Sequence, residues 1–188
     1  MEQDNTIFSP SIDPRFYPVV LLLIVILTMG IRLSAINRTV RWDEGRNLQQ
    51  YAQRPLSEFL FDFSDTNNHF MNTLMLHIQY RLLGNDEDWK IRVHVFVIGV
   101  LVTIATYYAG KELYDADVGL MASALSSVIY MLVEFSINAR GYIIITLIYL
   151  LMIILINRLK TQTNRRGWIA ISVLSALGFF VSPAFLYS

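Results

Sequence analysis

The stretch FYPVVLLLIVILTMGIRLSAINRTVRWDEG, Phe16 to Gly45, sets a long apolar run ahead of two adjacent carboxylates, Asp43 and Glu44. A helix crossing hydrocarbon needs about 20 mostly apolar residues, because lipid offers no water to satisfy backbone groups and a helix satisfies them internally. Phe16–Ile36 has that length. Working outward, further apolar runs at Val93–Leu113, Val118–Ile137, Gly141–Asn157 and from Trp168 to the end predict five spans in all. The composition agrees: 54% of the 188 residues are hydrophobic, only 16% are charged, and the net charge is zero. This is the composition of an all-α, polytopic membrane protein, and it lacks the basic excess that nucleic-acid binding requires. With no cysteine, disulfides and thiolate metal sites are excluded.

The first run reads as an uncleaved anchor. Its uninterrupted core, Val19 to Gly30, has the length of a signal-peptide apolar region. However, the residues before it carry Glu2, Asp4 and Asp13 against a lone Arg15, and Leu33-Ser34-Ala35 is a poor cleavage site. Orientation follows from the link RLKTQTNRRG, which holds Arg158, Lys160, Arg165 and Arg166 with no acid and so predicts a cytoplasmic loop. Alternation then places residues 37–92, and the carboxylate pair, outside. That long segment carries more basic residues than the short loop, but long segments obey the positive-inside rule weakly. Tyr107, Tyr108, Tyr114 and Trp168 read as an aromatic belt at the cytoplasmic edge, and Arg32 as a side chain reaching for the interface.

The outer segment is patterned. Leu48, Tyr51, Ala52, Leu56, Phe59, Leu60 and Phe63 recur at helical spacing, with Pro55 breaking the run into two short amphipathic helices on the membrane surface. A second helix starts at an Asn67 or Asn68 cap and stops at Gly84. Its one side carries His69, Asn72, Thr73, Leu76 and Gln79, and another carries Phe70, Leu74, Ile78 and Leu82. The first side is polar enough to line a site.

WDEG, then NNHFMNTLMLHIQYRLLGNDEDWKIRV, then YMLVEFSINARGY resemble the first third of a GT-C membrane glycosyltransferase. The likeness is to the protein O-mannosyltransferase and aminoarabinose transferase relatives, and it rests on the order of the motifs: a span, an acidic pair, an Asn-His motif, Trp-x-x-Arg leading into the next span, and Ala-Arg-x-Tyr. Where many relatives have prolines after the Asn-His pair, this chain has Phe70 and Met71. The resemblance implies an inverting transferase that moves a sugar from a polyprenyl-phosphate carrier, embedded in lipid, to an acceptor hydroxyl on the outer face of a prokaryotic inner membrane. It also implies an amino-terminal portion of a longer enzyme, since relatives continue through several more spans. The competing reading is a non-catalytic membrane module, either a transporter-like fragment or an assembly subunit.

A phosphate-linked sugar leaves as a stable anion, so the enzyme needs chiefly a base for the acceptor hydroxyl and cationic groups near the departing phosphate. Asp43 is the expected base. Adjacent helical residues diverge, so Glu44 is expected to orient a neighbour or help hold a metal rather than face Asp43 as a second catalytic carboxylate. Without the motif order, both would read as solvated helix caps. Asn68, His69, Asn72, Arg92, Arg140 and Tyr142 are the candidate substrate-binding residues. Among them Arg140 lies at an outer turn, where its guanidinium fork suits a lipid phosphate. Asp43, Glu44 and His69 are the candidate ligands for a divalent cation such as Zn or Mn. His94 reads as a packing residue or a helix contact, and Glu134 as an intramembrane carboxylate that is either a functional group or the structural partner of a cation such as Arg140.

Overall fold

The computed structural model describes residues 12–59, 69–161, 164–182 and 185, and among these it is helical throughout, with no strand. The chain is an integral membrane protein. A 3₁₀ turn, Pro14–Phe16, leads into α1 (Tyr17–Leu33). The long segment between α1 and α5 holds α2 (Trp42–Asn47) with a π turn at Leu48–Ala52, then α3 (Leu56–Phe59) and α4 (Phe70–Leu83). The bundle continues with α5 (Val93–Leu113), α6 (Ala116–Val128), α7 (Tyr130–Phe135), α8 (Tyr142–Thr161) and α9 (Arg165–Val181). Pro14–Leu33, Val93–Leu113 and Tyr142–Lys160 are long and apolar enough to span a membrane.

Helix α5 is the centre of the bundle and touches α1, α4, α6, α7 and α8. Its Val95, Ile98 and Val102 form the main core with Ile143, Ile144 and Ile148 of α8 and Val181 of α9. Against α6 the backbones meet closely, since a Cβ added at Gly110 would lie 2.8 Å from the Gly119 Cα. In lipid, where apolar side chains gain little by leaving the solvent, such close backbone packing is a main source of helix association. Leu22, Leu23, Ile26 and Leu27 of α1 face outward, as lipid-facing side chains should.

The stretch read as one span at 118–137 is broken. Ile129 has φ −57° and ψ 120°, so α6 ends there and α7 begins anew. Just before the break, the Ser126 and Ser127 hydroxyls donate back to the carbonyls of Ser123 and Ala124, the local competition by which serines weaken helices. The break also frees the Ser127 carbonyl, which accepts from Arg32 Nη1 at 3.2 Å. Arg32 therefore does not reach for the interface; it is fully buried and caps a broken helix.

Two ends of the bundle are defined. At one, Arg158 Nε donates to Glu112 at 2.8 Å and the Tyr17 hydroxyl to Asp117 at 3.0 Å, so the last turn of α8 and the start of α1 lie beside the α5–α6 turn. Tyr108, Tyr114 and Trp168 are exposed, whereas Tyr107 is buried and is no part of a belt. At the opposite end lie α2, α3, α4 and the turn 136–141. There Leu48, Ala52, Leu76 and Ile91 make a second small core.

The helices of the outer segment differ from the simple surface pattern. Leu48, Tyr51, Ala52 and Phe59 are buried, but Leu56 is exposed; Leu60, Phe63, Asn67 and Asn68 lie outside the described residues. Gly84 ends α4 with φ 75°, a backbone conformation that only glycine adopts without strain. The polar side of α4 is turned into the protein: Asn72, Thr73 and Gln79 are buried, while Ile78 and Leu82 are exposed. At a membrane surface this inversion is expected, because the polar groups find their partners inside the protein and the apolar ones meet lipid.

Candidate active site

The acidic pair sits on the first turn of α2, and its two members part company. Glu44 is 1% exposed. Its Oε1 accepts from Arg92 Nε at 3.0 Å and from the Ala139 N–H at 2.7 Å, and its Oε2 accepts from Arg92 Nη2 at 2.7 Å and the Arg41 N–H at 3.0 Å. Arg92 is also buried, and its remaining N–H groups go to the carbonyls of Ile36, Arg38 and Thr39. All five guanidinium donors are thereby used. A fork-to-fork pair with every donor satisfied is the arrangement in which an interior ion pair can offset its desolvation cost. It ties α2, the start of α5 and the turn after α7 into one frame.

Asp43 points elsewhere, with about a third of its side chain exposed. Its Oδ1 accepts the Glu44 N–H at 3.0 Å, and its Oδ2 takes Arg140 Nη1 at 2.8 Å. Arg140 Nη2 lies 3.2 Å from both the His69 Nε2 and the Tyr142 hydroxyl oxygen, and the guanidinium carbon sits 5.4 Å from the centre of the Tyr142 ring. His69 and Tyr142 meet edge to face. Thus Asp43, His69 and Tyr142 are gathered around the Arg140 guanidinium at the end of the bundle that carries the long segment between α1 and α5.

His69 is buried, and that burial, with the Arg140 charge beside it, pulls its imidazole down to about 4. It is therefore neutral at pH 7 and accepts the Arg140 N–H on Nε2. The ring proton is then on Nδ1, which is buried with no hydrogen-bond partner. Among the described residues no three Asp, Glu or His side chains are grouped to hold a metal ion. The donor set explains this: both Glu44 oxygens are spent on Arg92 and backbone N–H groups, and Asp43 and His69 converge on the Arg140 guanidinium. These three residues do not fit the divalent-cation site expected of them.

The other expected site residues fall into two places. Asn72 is fully buried; its Nδ2 donates to the Ala139 carbonyl at 2.9 Å, and its Oδ1 lies 3.0 Å from His94 Nε2. Like Arg92, it faces the interior. Asn68 lies outside the described residues. Glu134 does not pair with Arg140 but with Arg38 at 2.8 Å and Arg41 at 2.7 Å, beside a polar cavity of about 450 Å³. Sequence reading placed Asn72 and Gln79, seven residues apart, on one face of α4 but missed the Ala139 peptide and the role of His94.

No curated protein and no solved structure matches the chain significantly. A profile of the dolichyl-phosphate-mannose-protein mannosyltransferase family matches residues 68–185, which is more than half of the chain and includes His69, Arg92, Arg140 and Tyr142, while the acidic pair precedes it. With a helical membrane bundle and an Asp–Arg–His–Tyr cluster at the end bearing its long loop, the chain belongs to the dolichyl-phosphate-mannose-protein mannosyltransferase family, membrane glycosyltransferases that use a polyprenyl-phosphate-mannose donor.

Proposed function

We propose that this protein transfers mannose, with inversion, from a polyprenyl phosphate to an acceptor hydroxyl on the outer face of a prokaryotic inner membrane. The observation that carries the reading is the 2.8 Å contact between Asp43 and Arg140, a half-open carboxylate and a phosphate-binding type of cation side by side at the membrane surface. The acceptor oxygen attacks the anomeric carbon opposite the phosphate. Its proton passes to Asp43, and the sugar–phosphate bond breaks with its electron pair left on the phosphate oxygen. Arg140 balances the charge that grows there. In the resting state the same guanidinium neutralises Asp43; a donor phosphate draws it away and leaves the carboxylate free to act as base. His69 and Tyr142 hold the Arg140 fork in orientation. Glu44, Arg92 and Asn72 contact no substrate and serve as the frame.

Orientation is the first test. Reporter fusions after Gln162 should report cytoplasm and fusions near Asn85 the outside, as the basic link between α8 and α9 implies. The opposite pattern would expose Asp43 to cytoplasmic nucleotide sugars and exclude a lipid-linked donor on the outer face.

Donor kinetics test the site itself. A guanidinium grips two phosphate oxygens at once, whereas a lysine offers a point charge on a flexible stem. Arg140→Lys should retain part of the activity, and Arg140→Gln should lose roughly ten- to hundred-fold in kcat/KM, the worth of one hydrogen-bonded charge. Because the contact tightens as the bond breaks, the loss should appear in kcat as well as in donor KM. Unchanged donor kinetics in a folded Arg140→Gln protein would remove the phosphate role from Arg140. Arg92 could not take it over, since its donors are all engaged inside.

A further inference from the structure

The two peptide groups that flank the Ala139 Cα, just before Arg140, are each held by a buried side chain. The Ala139 N–H donates to Glu44 Oε1 at 2.7 Å, and the Ala139 carbonyl accepts from Asn72 Nδ2 at 2.9 Å; Ala139 itself is fully buried. With Nδ2 committed to that carbonyl, Asn72 can present only its oxygen to His94. The contact at 3.0 Å is a hydrogen bond with the ring proton on His94 Nε2. On the other side of the ring, Gln79 is fixed as firmly. Its Nε2 donates to the Lys90 carbonyl, and its Oε1 accepts the backbone N–H of His94 at 3.0 Å and lies 3.2 Å from the ring Nδ1. The chain His94–Asn72–Ala139 thus runs from the first turn of a spanning helix, across α4, to the neighbour of Arg140, whose guanidinium meets Asp43. Such a polar run is more than packing needs: an apolar residue at 94 would fill the same space among Met75, Ile98 and Leu83 without polar groups to satisfy.

We infer that His94 is a positioning residue for the transfer, orienting Asn72 and through it the Ala139 peptide so that Arg140 meets the donor phosphate. This rests on the role proposed above for Arg140. The ring meets Asn72 through one atom, Nε2, and that makes the link separable from bulk. His94→Gln can place an amide N–H near the position of Nε2, while His94→Phe keeps the ring and removes the donor.

The experiment is a titration of purified full-length protein with polyprenyl-phosphate mannose at saturating acceptor, comparing these two variants alone and combined with Arg140→Gln. His94→Phe should lose roughly five- to tenfold in kcat/KM for the donor, about the net worth of one hydrogen bond. His94→Gln should stay within about threefold of the parent if it rebuilds that bond. In the Arg140→Gln background, His94→Phe should add less than about twofold, because residues acting through one contact are not additive. If His94→Phe does not accumulate, Asn72→Leu, similar in size and apolar, should show the same loss and the same non-additivity. Equal activity of the Phe and Gln variants, or a full multiplicative loss in the Arg140→Gln background, overturns the assignment of His94 alone. Unchanged donor kinetics for Arg140→Gln by itself overturns the role of Arg140 and the positioning role with it.

Discussion

Glu44→Gln should destabilise the folded protein by about 3–5 kcal/mol, the cost of leaving a buried partner charge uncompensated. Arg92 is 1% exposed and has two guanidinium contacts to the Glu44 carboxylate, so the substitution leaves a buried positive charge without its counter-charge. It also weakens the acceptor for the Ala139 N–H, and with it the turn that bears Arg140. The loss should be visible as a lower midpoint in unfolding of the detergent-solubilised protein and as reduced accumulation in the membrane. Replacing both partners together, Glu44→Met with Arg92→Met, should recover much of the stability, since the penalty lies in the orphaned charge rather than in the missing pair. Activity should not return with it. A Glu44→Gln protein as stable as the parent would mean that the pair is hydrated and that the frame does not depend on it.

The three helices long and apolar enough to span a membrane, α1, α5 and α8, were legible because lipid imposes one rule on the whole run: enough consecutive apolar residues to satisfy length, and internal hydrogen bonds to satisfy the backbone. What interrupts a run was less legible. The break at Ile129 has its cause in serine hydroxyls bonding backward and in Arg32, nearly a hundred residues away, capping a freed carbonyl. From the sequence alone, an arginine at the end of a span has an interface within reach and no visible partner inside. The polar side of α4 is polar enough in sequence to line a site, yet of its residues His69 reaches the Arg140 cluster while Asn72, Thr73 and Gln79 bond inside the protein. At a membrane surface the partners of Asn72 and Gln79 are protein groups, and the apolar residues face away. The divergence of Asp43 from Glu44 follows from helical geometry and could be read directly. The pairing of Asp43 with Arg140 could not, since it joins positions far apart in the chain and depends on how α2 docks against the turn after α7.

Asp43→Asn tests the central claim most directly. Asparagine keeps the size of the side chain and an oxygen for the Glu44 N–H, so the helix start and the buried frame should persist. It cannot take the acceptor's proton. Turnover should therefore fall by roughly 10²- to 10⁴-fold, the usual contribution of a positioned general base. The donor KM should not rise, because a neutral side chain no longer competes with the phosphate for Arg140. The measurement is mannose transfer from polyprenyl-phosphate mannose by the purified full-length protein, with kcat and donor KM determined for the parent and the variant at matched folded concentration. A collapse of kcat with donor KM unchanged or lowered is the predicted result; an Asp43→Asn protein that transfers mannose at the parent rate would contradict the account.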